Sequence, residues 1–127
     1  MCGIAGILNL RSEAISPIIL KKMTDAIANR GPDGEGHWIE NNIGLGHRRL
    51  AIIDLSSKGH QPMLSTDGRY VLSYNGEVYN YRELKTQLEA KGYVFRSQTD
   101  SEVVLNALAH WGVDALLKFN GMFALAL

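Results

Sequence analysis

A single cysteine, at position 2, is the only thiol of this chain, so no internal disulfide can form and the fold must rest on burial. There are only three prolines, no low-complexity linker and no fixed-period repeat, which removes solenoid and array architectures. Excess charge is lacking as well. Thirteen Lys and Arg balance thirteen Asp and Glu, which argues against nucleic acid or a membrane surface as a partner held by charge alone. No apolar run approaches the roughly 18 residues of a membrane-spanning helix, and the start of the chain lacks the basic end and apolar h-region of a secretory signal. A cytoplasmic location is the resulting expectation. His37, His47, His60 and His110 are scattered without an HxxxH or Cys/His cluster, so no metal site is expected. Phosphate loops, GxGxxG after a strand and GxSxG are all missing, which removes nucleotide-binding and serine-hydrolase readings of this segment.

What is present suits one globular domain of 127 residues, 46% hydrophobic and 20% charged. "CGIAGILNL" reads as a short, mostly buried strand. Ser16 as N-cap, Pro17 in the first turn, Leu20, Met23 and Ile27 at helical spacing and Gly31 as terminator predict a helix over about 17–29. "RGPDGEG" reads as a structural or gating loop, followed by strands in "HWIE" and "IGLGHRRLAIID" joined at "NN". After the loop "DLSSKGHQPM", an Asp-Gly turn precedes the strand "RYVLSYNG". Asn80 and Glu83 have capping-box spacing ahead of a helix over about 81–91, "YVFRS" reads as a strand, and "TDSE" caps a buried helix in "VVLNALAHWG". A short helix in "VDALLKF" and a strand in "MFALAL" follow. This order predicts an α+β domain with helices packed on antiparallel sheets. Because the last residues lie inside an apolar strand, the chain is expected to be part of a longer one.

The candidate chemistry starts at Cys2. Removal of Met1 would put a thiol and a free α-amine on one residue, and the amine, with a reference pKa of roughly 7.7–8.0, is a base able to take the thiol proton. The alternative is a small apolar side chain in a strand. In "SYNGEVYN", the Asn75 amide and the Gly76 N–H make a donor pair suited to a developing oxyanion, and Glu77 beside them could bind a cation; equally, "NG" could be a hairpin turn and Glu77 a solvated charge. Strand alternation sends Arg48 and Arg49 to opposite faces, so at most one points into a pocket, where it could hold a carboxylate. Asp100, in the first turn of a helix, either complements the helix dipole or supplies a second anion for a substrate ammonium.

Taken in order, "MCGIAG", "NRGPDG", "GHRRLAIIDLS", "GHQP", "YNGEVYNYRELK" and "TDSEVVL" resemble the glutaminase domain of glutamine-hydrolysing asparagine synthetases. That domain is a class II glutamine amidotransferase of the N-terminal-nucleophile hydrolase superfamily. The resemblance covers nearly the whole chain, and "RLAIIDLS" with "NGEVYNYRELK" favours this branch over the sugar-phosphate and purine-pathway amidotransferases. It implies a four-layer αββα sandwich, here lacking some C-terminal strands. It also implies that Cys2 attacks the side-chain amide of glutamine, releasing ammonia through a glutamyl thioester. Asn75 and Gly76 would form the oxyanion hole, Arg49 would hold the substrate α-carboxylate, and Glu77 and Asp100 its α-ammonium. The hydrolysis itself would need no cofactor. ATP and Mg would serve only a synthetase domain in the same full-length chain, which would take up the ammonia, and a homodimer is among the assemblies implied. Two other readings stand beside this one: a domain of the same fold that binds glutamine or a partner without hydrolysing it, and a Cys/His hydrolase using His47 or His60.

Overall fold

The computed structural model describes residues 1–127. Its elements are β1 (Gly3–Leu8), α1 (Pro17–Ala26), β2 (Gly34–Glu40), β3 (Ile43–Arg49), β4 (Met63–Leu64), β5 (Val71–Val78), α2 (Tyr81–Glu89), α3 (Asp100–Trp111) and β6 (Gly121–Ala126). Short 3-10 turns occupy Ala28–Arg30, Ser57–Gly59 and Gly112–Lys118.

The strands form two antiparallel sheets of three, ordered β1-β3-β2 and β4-β5-β6. Helix α1 covers the outer face of the first sheet, burying Leu20 and Thr24. Helices α2 and α3 cover the second. There Leu72, Tyr74 and Val78 of β5 pack with Leu84 and Leu88 of α2 and with Val103, Val104 and Leu108 of α3 in one apolar cluster. Each fully buried aliphatic side chain of that kind contributes on the order of 2 kcal/mol, which makes this half the main source of stability. Between the sheets the contact is partly polar: His47 Nε2 donates to the Tyr74 carbonyl at 2.9 Å and Ser73 Oγ to the Gly46 carbonyl at 3.1 Å. The layers therefore run helix, sheet, sheet, helices, the α+β αββα sandwich expected.

His47 is fully buried, and loss of solvation lowers its imidazole to about 4. An unfolded chain takes up that proton near pH 6.5, whereas the folded one does so only near pH 4. Stability therefore falls as pH drops through this window, by up to about 3 kcal/mol from this group. Urea denaturation at pH 7, 5.5 and 4 should show the decline in the native sequence and a shallower one in His47→Gln, which keeps a donor but does not titrate.

The structure corrects several sequence expectations. Helix α1 ends at Ala26, and the following residues turn as a 3-10 segment. Strand β3 stops at Arg49 rather than running through "LAIID". There the Leu50 N–H turns to Cys2 Sγ at 3.3 Å, the Ala51 N–H goes to Asp33 Oδ2 at 2.9 Å, and the Arg49 guanidinium holds the carbonyls of Asp54 and Ser56. These bonds take the backbone out of the ladder and curl residues 50–56 over the end of the sheet. "YVFRS" is not a strand: the buried Glu102 carboxylate accepts the N–H groups of Arg96 and Ser97, at 2.9 and 2.7 Å, in place of a strand partner. The Thr99 cap of α3 forms as expected, its Oγ1 accepting from the Glu102 N–H. Asn80 precedes α2 but makes no side-chain cap. Its amide donates to the Lys118 carbonyl and accepts from the Asn120 N–H, tying α2 to the start of β6.

Candidate active site

Cys2 lies immediately before β1, partly buried, with its backbone and its sulfur both held. Its carbonyl accepts from Arg30 Nε at 3.0 Å, its thiol lies 3.6 Å from the Leu50 carbonyl, and its sulfur accepts the Leu50 N–H. One residue thus offers a carbonyl acceptor to the thiol and an N–H donor to a thiolate. The "RGPDG" loop serves as a brace here: Arg30 fixes Cys2, and Asp33 fixes Ala51 in the segment that turns over it.

The two arginines of β3 part as alternation requires. Arg48 reaches α1, with Nε on the Thr24 carbonyl and its guanidinium on the carboxylates of Asp25 and Glu35. Arg49 turns to the opposite side and lines a cleft with Cys2. The two loop carbonyls orient its guanidinium and take two of its five donors, which leaves N–H groups for a ligand. It lies against Gly59, where an added Cβ would fall 2.3 Å from Nη2, so any larger residue would displace it. Asp54, whose carbonyl orients Arg49, is itself fixed: bonds from Ser56 and from the Gln98 N–H lower its carboxylate to about 2.

Asn75, Gly76 and Glu77 sit within β5, not in a hairpin turn, and pair with Ala124, Phe123 and Met122 of β6. Strand alternation puts Asn75 and Glu77 on the face shared with Ser73, toward the other sheet, while Tyr74 faces the helices. Gly76 is required by close approach: a Cβ would fall 2.4 Å from the Met122 carbonyl oxygen and 2.6 Å from Phe123 Cα.

Asp100 opens α3 and is buried. Its Oδ2 accepts the Tyr74 hydroxyl at 3.0 Å and the Val78 N–H at 3.1 Å. Burial pushes its carboxyl above the usual range, with the Glu77 charge adding to the effect while these two donors and the Ser101 N–H oppose it. Burial, followed by the neighbouring Asp100 charge, likewise raises the Tyr74 phenol, so it stays a donor. Gln61 ties the same two elements together, accepting the Tyr74 N–H at 2.6 Å and donating to Ser101 Oγ at 3.3 Å.

Cys2, Arg49, Asn75, Gly76, Glu77 and Asp100 all line one open cleft. Tyr74, Gln61, Asp54, Gly59 and Thr99, which the sequence reading did not single out, line it with them. Each lies inside one of the quoted motifs, where nothing in its residue type marked it out from its neighbours. Neither histidine proposed as a base is among the lining residues. His47 is sealed between the sheets, its Nδ1 buried without a partner, and His60 is exposed outside the cleft.

Two face-to-face sheets between helical layers, with a cysteine at the second position entering the cleft at their edge, define an N-terminal-nucleophile type of fold. The family model for the glutamine amidotransferase domain matches residues 1–127. The chain belongs to that family. Relatives over nearly its whole length are asparagine synthetase [glutamine-hydrolyzing] 1 and 2 of Bacillus subtilis, 42% and 43% identical over 98% and 100% of this chain. A putative asparagine synthetase [glutamine-hydrolyzing] 2 of Methanocaldococcus jannaschii is 44% identical over 98% of it. The chain spans 20%, 17% and 27% of those three proteins. A solved structure of glutamine phosphoribosylpyrophosphate amidotransferase from B. subtilis, complexed with ADP and GMP, superposes with a TM-score of 0.78. It covers 96% of this chain and 34% of its own at 21% identity, which shows a shared fold. No helix is long and apolar enough to cross a membrane.

Proposed function

We propose that this domain hydrolyses glutamine to glutamate and ammonia through a thioester on Cys2. It would supply the ammonia to an ATP-dependent, asparagine synthetase-type amidation carried out elsewhere in the full-length chain. The observation that carries the reading is the meeting, in one cleft, of a held thiol with Arg49, Glu77 and Asp100 from four separate segments, while the carboxylate of Asp54, which also lines the cleft, is taken up by the N–H groups of Ser56 and Gln98. An α-amino acid with a neutral side-chain amide has the matching charges.

In this mechanism Met1 is removed, and the α-amine of Cys2 takes the thiol proton. The thiolate attacks the amide carbon of glutamine, whose α-carboxylate lies on Arg49 and whose α-ammonium lies on Glu77 and Asp100. The Asn75 amide and the Gly76 N–H stabilise the oxyanion. Collapse breaks the C–N bond as the new ammonium on Cys2 returns its proton, and ammonia leaves. The amine then takes a proton from water, the hydroxide displaces the sulfur, and glutamate and the thiol are regenerated. ATP and magnesium belong, in this reading, to the synthetase domain alone.

The test uses the full-length protein with its N-terminus read by mass spectrometry. The processed form should release ammonia from glutamine, and an electrophilic glutamine analogue should label Cys2. Absence of both results in processed protein overturns the reading, whereas glutamine binding without turnover supports the non-hydrolysing alternative.

A further inference from the structure

The helical layer reaches the cleft at the start of α3, where Thr99, Asp100 and Ser101 line it and Asp100 meets Tyr74. Tyr74 is 2% exposed and belongs to the apolar cluster, yet its hydroxyl ends on a carboxylate at the cleft wall. A phenol buried in a core needs a hydrogen-bond partner, but most partners are backbone carbonyls; this one is a buried anion that lines the candidate site. Both bonds to Asp100 from β5 converge on Oδ2, which leaves Oδ1 for a ligand.

We propose that Tyr74 is a positioning residue for glutamine, acting through Asp100: its hydroxyl orients and helps ionise the carboxylate that receives the substrate α-ammonium. The inference rests on the glutaminase reading above. Phenylalanine at 74 would fill the same space, keep the packing and remove one donor from Oδ2. The charged and titratable groups facing Asp100 are Tyr74 and Glu77 of β5, with Cys2, Arg49 and Asp54 lining the same cleft. Loss of the hydroxyl from this set removes a bond that favours the charged carboxylate, while Glu77 continues to oppose it.

Three results are expected for Tyr74→Phe in the processed, full-length protein. KM for glutamine should rise about tenfold with the change concentrated in KM rather than kcat. The acidic limb of kcat/KM should move to higher pH. Binding of 4-carbamoylbutanoate, which is glutamine without its α-amino group, should be weakened far less than binding of glutamine. A tyrosine that served packing alone would weaken both ligands equally and leave the pH limb in place. Asp100→Asn provides the second arm: combined with Tyr74→Phe, the two penalties on KM should not add, because the second change acts through a group already altered. Additive penalties, or equal losses for both ligands, overturn the inference. An Asp100→Asn protein with unchanged KM for glutamine instead overturns the glutaminase assignment of Asp100 on which it rests.

Discussion

Cys2→Ala is expected to abolish glutamate release, by a factor on the order of 10⁴ or more, while leaving glutamine affinity within about threefold of the native value. The asymmetry follows from where the groups sit. The thiol is held by Leu50 at the edge of the cleft, whereas Arg49, Glu77 and Asp100 come from β3, β5 and α3 and are fixed by partners that do not include the sulfur. Removing the sulfur therefore removes the bond-forming atom but leaves the clamps. Steady-state glutamate production together with isothermal titration of glutamine reads both effects. Retention of turnover would require another nucleophile. A histidine base for Cys2 finds no partner in this cleft, because His47 is sealed between the sheets and His60 lies outside the cleft.

Asn75→Ala is expected to lower kcat about 10²–10³-fold with little change in KM, because an oxyanion donor acts mainly once the tetrahedral charge exists. The substitution is a mild one for the fold. Asn75 is partly exposed in the middle of β5, and its backbone pairing with Ala124 does not depend on the side chain. A thermal transition close to native, measured beside the kinetics, separates this loss from unfolding. Gly76 offers no such clean experiment: any side chain there collides with the backbone of β6, so its replacement would disturb strand pairing and chemistry together.

The residues that could carry chemistry were legible in the sequence because each sits in a short local motif. Cys2 stands at the chain's start, Asn75 and Gly76 are adjacent, and Arg49 is half of a pair that strand alternation divides. Alternation alone left Arg48 and Arg49 equivalent. It took the acidic groups of Asp25 and Glu35, remote in sequence, to claim Arg48 for the outer face. Distant partners also account for the misread elements. "LAIID" and "YVFRS" have strand-like composition, but their N–H groups are taken by a sulfur and by two carboxylates, from Cys2, Asp33 and Glu102. Asn80 had the right spacing for a cap and spent its side chain on the segment leading into β6 instead. Periodicity reports which face of a segment is apolar. It says nothing of which polar group, dozens of residues away, will compete for its backbone.

Leu50 is a consequence of this kind. Its N–H and its carbonyl both meet the sulfur of Cys2, and its immediate predecessor is Arg49, itself locked onto two carbonyls of the same turn. In the glutaminase reading proposed above, the sulfur and the α-carboxylate anchor are therefore tied to two adjacent residues, Leu50 and Arg49, where β3 ends. On that reading, the turn would fix the spacing between the two ends of a bound amino acid. In the same glutaminase reading, discrimination between glutamine and asparagine would then lie in the backbone of this turn.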